Sequence, residues 1–214
     1  MNGHKLQDRL YFGLGVSARH IGRSADAFRP SGPGCPLDKR NRFLKLPATF
    51  VAAKGSDKHA NGHGDALWHG IFDASYTRVG DYLVMDAAVF FVGSQEPLLP
   101  VLCIRTNRTI SIARPKMQGA PAANAYGGYT SGNSTLVLDQ WPASVLGEGK
   151  SGSSHTGLPT DQLVPYLAIL LPAPAGIVIS PGDIVTDDLG RTAIIAGTEL
   201  TNLGWRVSAK MTTT

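Results

Sequence analysis

The alternation of apolar and polar positions is clearest near the end of the chain. Over Gly204–Met211, Trp205, Val207, Ala209 and Met211 alternate with Arg206, Ser208 and Lys210, the period-two pattern of a strand with one buried face. Upstream, Pro181-Gly182 punctuates, Ile184-Val185 opens a short strand, Asp187-Asp188-Leu189-Gly190 turns, and Ala193–Ala196 runs back. Residues 176–211 therefore read as a compact β-meander with Trp205 in its core. At the other end the period changes. Leu6, Leu10, Leu14 and Ile21, flanked by Tyr11 and Ala18, recur at helical spacing, which predicts an amphipathic helix over residues 3–21, capped by Asn2 and ended at Gly22.

Between these ends the pattern is strand and turn. Apolar runs at Phe43–Pro47, Leu67–Phe72, Tyr82–Val84 and Ala87–Val92 are separated by polar stretches such as 54–65. Pro100–Arg105 and Arg108–Ala113 flank Thr106-Asn107 and read as a β-hairpin. A strand and turn are expected at Thr135–Leu138 with Trp141-Pro142-Ala143. Gly80-Asp81-Tyr82-Leu83-Val84 echoes Gly182-Asp183-Ile184-Val185, which leaves open a chance match or two barrel-like modules related by duplication. Residues 29–41 form a Pro/Gly-rich connector, read either as a surface loop or as an arm over a neighbouring subunit.

Composition supports a mainly β chain. It has 214 residues, 43% hydrophobic and only 17% charged, with 25 Gly and 14 Pro, a balance of turns and short strands. The fold is read as small β-barrel or sandwich modules with an N-terminal amphipathic helix and long Gly/Pro-rich loops. Its parts are 1–45 (helix and basic extended arm), 46–118 (β module), 119–160 (glycine-rich loop or insert) and 161–214 (C-terminal small β-barrel). The net charge of +4 is uneven. Residues 1–45 hold nine Lys and Arg against Asp8, Asp26 and Asp38, so the arm suits double-stranded DNA or an acidic protein neighbour. Cys35 and Cys103 lie far apart without redox or metal spacing, as idle thiols of a reducing cytosol do. No apolar run is long enough for a membrane span.

Candidate chemistry is sparse. Gly13-Leu14-Gly15-Val16-Ser17-Ala18 fits a dinucleotide fingerprint but lacks the preceding strand. Gly147-Glu148-Gly149-Lys150-Ser151 ends like a phosphate loop but has Val145 where the earlier glycine belongs. His59, His63 and His69 have a zinc-like composition but no helix or cysteine to set geometry. Asp183, Asp187 and Asp188 sit where turns place Asp, with a divalent cation as the other reading. His155 and the serine-rich loops contain no Gly-x-Ser-x-Gly elbow. The chain is expected not to be an enzyme, with no catalytic, cofactor-binding or metal residue and no cofactor.

The order Gly182-Asp183, apolar pair, acidic turn, apolar strand, second turn and Gly204-Trp205-Arg206 strand resembles the small β-barrel of tailed-phage head-to-tail joining proteins, the neck or stopper proteins. In that family the last strand closes the barrel. Leu6-Gln7-Asp8-Arg9-Leu10-Tyr11 and Pro97-Leu98-Leu99-Pro100-Val101-Leu102 resemble structural proteins of phages and prophages of Gram-negative bacteria. The resemblance implies a virion protein made in the host cytoplasm. It would be a homo-oligomeric ring subunit of the connector, neck or tail, contacting portal, adaptor or tail proteins close to double-stranded DNA. A tail-side adaptor that anchors fibres and a capsid decoration protein are the alternatives, with a hydrolytic enzyme more distant. The candidate interface residues are Leu6, Leu10 and Leu14 on the helix, Arg29 in the connector, and Tyr126 and Tyr129 in the glycine loop.

Overall fold

The computed structural model describes residues 3–53, 66–115, 134–148 and 166–212. Helix α1 spans Gly3–Ile21, as its periodicity predicts. Twelve strands follow: β1 (Arg23–Phe28), β2 (Arg42–Ala52), β3 (Leu67–Ile71), β4 (Tyr82–Met85), β5 (Ala88–Ser94), β6 (Val101–Arg105), β7 (Arg108–Pro115), β8 (Ser134–Glu148), β9 (Tyr166–Leu171), β10 (Ile184–Asp187), β11 (Thr192–Thr201) and β12 (Gly204–Met211). The chain is mainly β, as expected.

The strands close into two antiparallel barrels of identical order. The first runs β1-β2-β3-β6-β5-β4 and the second β7-β8-β9-β12-β11-β10, with β4 returning to β1 and β10 to β7. The correspondence extends to irregularities, since β5 shifts register against β6 between Val92 and Ser94, and β11 shifts against β12 between Ile195 and Gly197. The Gly-Asp echo therefore marks a tandem repeat of a six-stranded unit.

This partition differs from the sequence reading in three places. The first barrel takes β1 from residues read as arm and ends at Arg105, and the second begins at Arg108, so the four parts 1–45, 46–118, 119–160 and 161–214 do not coincide with the barrels. Residues 101–105 and 108–113 are not a hairpin. β6 pairs with β3 and β5 while β7 pairs with β8 and β10, because the Asn107 side chain bonds both the N–H and the carbonyl of Val145 and turns the chain into the second barrel. β12 lies between β11 and β9, and the barrel closes between β10 and β7 rather than at its last strand.

Each barrel has a filled interior. Ala25, Ala27, Leu46, Leu83, Phe90, Val92 and Cys103 with the partly buried Trp68 draw on all six strands of the first, where Phe50 stacks on Phe90 at 3.8 Å. The second is filled by Ile112, Leu138, Ile169, Val185, Ile195 and Val207, and its cluster continues onto Phe28, Tyr82, Phe91 and Ile104 of the first barrel. Trp141, fully buried, sits at that junction. Its ring meets Tyr82 edge-on at 6.1 Å, its indole N–H donates to the Pro33 carbonyl, and the Tyr82 hydroxyl donates to Pro142 O at 2.8 Å. Trp205 shares the inward face of β12 but is only partly buried at the edge of this cluster.

Candidate functional site

Among the described residues, the repeated Gly-Asp turns are the most elaborately hydrogen-bonded polar sites. Gly80 and Gly182 each have φ of 91°, a conformation that side chains other than glycine's avoid. Their N–H groups donate to Val92 O and Ile195 O, both at 2.8 Å. The turn then places Asp81 and Asp183, each 2% exposed, opposite an arginine leaving the equivalent first strand. Arg29 binds Asp81 through Nε and Nη2 at 2.9 and 2.7 Å, and Arg114 binds Asp183 at 2.8 and 2.9 Å. Each guanidinium also donates to a carbonyl upstream, Tyr76 or Val178, and each carboxylate accepts from a backbone N–H, of Arg78 or Ser180. Hydrogen bonding to the carboxylate raises the pKa of both arginines against the opposing effect of burial, and the negative charge adds to the rise. These forked pairs are locks between the strand that opens a barrel and the strand that closes it.

The other turn aspartates have partners too. Asp187 accepts from the N–H groups of Leu189 and Arg191 and from Arg191 Nε at 2.7 Å. Burial acts on it most strongly and pushes its pKa up, but the Arg191 side chain, the two N–H groups and the positive charge together hold it below the usual carboxylate value. Asp188 lies 3.9 Å from Arg108. Asp183, Asp187 and Asp188 thus each face an arginine, which accounts for them as turn and ion-pair residues.

Of the predicted interface residues, the described ones lie on α1 (Leu6, Leu10, Leu14) and in the connector (Arg29). Arg29 is engaged in its lock and lies 4.4 Å above the Phe43 ring. Leu6 is exposed, Leu10 and Leu14 are half-buried, and Tyr126 and Tyr129 lie outside the described residues. α1 does not stand off as an arm. It packs on β2, β3 and the turn Ala74–Tyr76 through Tyr11, Gly15 and Ala18. The connector 29–41 also folds back, with Arg29 N–H donating to Asn41 O and the Asn41 amide to Cys35 O and Pro36 O. Its tip, Pro33, accepts from Asp139 N–H and Trp141 and bridges to the second barrel.

Among the described residues, the nucleotide-like and metal-like patterns form no site. Gly13–Ala18 lies inside α1, Gly147-Glu148 ends β8, and Gly149–Ser151 falls outside the described residues. His59, His63 and His155 also lie outside them, and His69 is on β3. Among the described residues no cluster of His, Cys, Asp or Glu could hold a metal ion, and no helix is long and apolar enough to cross a membrane. Cys35 and Cys103 are free thiols, and burial pushes that of Cys103 far up.

Two apolar features escaped the sequence reading. A groove of about 180 Å³ runs between α1 and β2, lined by Phe12, Val16, Leu44, Leu46, Pro47 and Tyr76. The turn between β5 and β6 leaves Leu98 48% and Leu99 52% exposed. Prolines on both sides of Leu98-Leu99 were the available signal, since they favour a projecting turn over a continued strand. No family model, curated protein or solved structure matches the chain.

Proposed function

We propose that the chain is a structural subunit of a tailed-phage particle, a homo-oligomeric ring component of the head-to-tail connector, neck or tail. The observation that carries this reading is that the residues of the neck-protein resemblance belong to a closed small barrel: Gly182-Asp183 opens β10 and Gly204-Trp205-Arg206 begins β12. A closed barrel has no free strand edge, so it joins neighbours through side chains and loops and does not risk uncontrolled edge pairing. The locked charges favour a rigid building block, and the exposed apolar turn and groove supply contact surface.

In this reading the chain sits between portal or adaptor proteins and the tail, near the path of the DNA. Electron microscopy of intact particles, with the protein labelled and its copies counted, tests it. A single ring at the portal vertex is the expected result. Copies spread over the shell would instead make it a decoration protein, and copies at the fibre bases a tail-side adaptor. Absence from the particle would overturn the structural reading.

A further inference from the structure

The turn Gln95–Pro100 joins β5 to β6 and holds its two leucines outward by a defined geometry. Leu98 has φ of 64°, a left-handed conformation that costs a leucine energy and persists only where its surroundings impose it. The constraint is visible: Leu98 N–H donates to Gln7 Oε1 of α1 at 2.6 Å, and Leu99 N–H donates to Glu96 O. The result is a fixed apolar knob with the exposed Glu96 beside it.

Between α1 and β2 lies a groove of about 180 Å³. Its walls are mostly apolar, and three charged residues line it as well, the acidic Asp73 and the basic Arg19 and Lys45. Neither cation is in an ion pair among the described residues, so the groove keeps a net positive charge. No residue of 95–100 lines it, so a chain does not fill its own groove.

We propose that the groove receives the Leu98-Leu99 knob of a second copy of the chain, with Glu96 of the incoming copy against Arg19 and Lys45. Knob and groove are different patches of one molecule, so the contact is head-to-tail and repeats from copy to copy, closing into a ring when the rotation allows. The contact rests on the ring reading above and identifies the surface that would build it.

Sedimentation velocity of the full chain over a concentration series tests the contact. The wild type should associate. A knob variant carrying Leu98→Asp and Leu99→Asp, and a groove variant carrying Phe12→Asp, should each associate roughly tenfold or more weakly, with circular dichroism melts confirming that these exposed substitutions leave the fold intact. An equal mixture of the two should stop at dimers, because each pair then retains one intact knob and one intact groove. Glu96→Lys should weaken association, and Arg19→Glu with Lys45→Glu on the partner should restore it. A wild type that stays monomeric at every concentration, or that associates as well with both variants, overturns the contact. Association that survives both variants, in a protein found as a ring in particles, rejects the contact and leaves the ring reading standing. Absence from the particle vertex rejects the ring reading whatever the sedimentation shows.

Discussion

Arg29 and Asp81 are bound to each other but are not equally buried: the arginine side chain is 35% exposed and the aspartate side chain 3%. Removing the arginine strands a carboxylate in the interior, whereas neutralising the aspartate leaves a guanidinium that can turn to water. Arg29→Met should therefore cost ~3–5 kcal/mol and Asp81→Asn only ~1–3 kcal/mol, and urea unfolding of the two variants checks that order. Arg114→Met and Asp183→Asn should repeat it, because the second lock has the same geometry. Asp187 carries a pH prediction. Its folded pKa is held low, so its contribution is complete above the ordinary carboxylate pKa of about 4 and is lost as pH falls through the lower folded value. The stability gap between wild type and Asp187→Asn should be full near neutrality and vanish in acid, as denaturation midpoints across pH would show.

The docking of α1 turns on which of its glycines faces the barrel. A Cβ on Gly13 meets nothing, while one on Gly15 would lie 2.9 Å from Asp73 Cβ. Gly13→Ala should stabilise the protein by ~0.5–1 kcal/mol by favouring the helix, and Gly15→Leu should destabilise it by ~1–3 kcal/mol by forcing the helix off the turn that begins at Asp73; thermal melts separate the two. The helix itself was legible because its apolar period is regular, and so was the meander β10-β11-β12, whose strands are joined by short turns rich in Gly and Asp. The attachment of α1 was not, since Leu6, Leu10 and Leu14 mark an apolar stripe while the closest approach is made by Gly15 and Ala18, which have too little side chain to register in a periodicity. The Thr106-Asn107 turn misled for a related reason. Two strands either side of a short polar turn look alike whether they pair or part, and what separates them here is long-range: Thr106 N–H donates to Val89 O of the first barrel, while Asn107 bonds Ala143 and Val145 of the second.

At the scale of the molecule, repetition was readable only as the Gly-Asp echo. The matching arginines, Arg29 and Arg114, lie on other strands and come to their aspartates only through closure of each barrel. The junction sets what can be removed. A fragment from residue 106 to the end carries six complete strands and should fold when expressed alone. The last fifty residues lack β7 and β8 and should not, and deletion of residues 1–28 should aggregate because it strips both α1 and β1. Circular dichroism and gel filtration of the three truncated proteins check this. Trp141→Ala should cost ~3–5 kcal/mol and weaken the coupling between the barrels, since its ring joins them; a thermal melt of the variant with two separate transitions is the expected result. The duplication also creates a hazard during folding. β1 and β7 hold equivalent places, so an unfolded chain offers β4 and β10 rival partners. Where β1 has Ala25 and Ala27, β7 has Ile110 and Ile112. An exchanged strand would drive isoleucines into space already taken by the Phe50–Phe90 stack and leave the other barrel hollow. Divergence in side-chain volume between the halves thus acts as proofreading of strand partners, a safeguard that two identical repeats would lack.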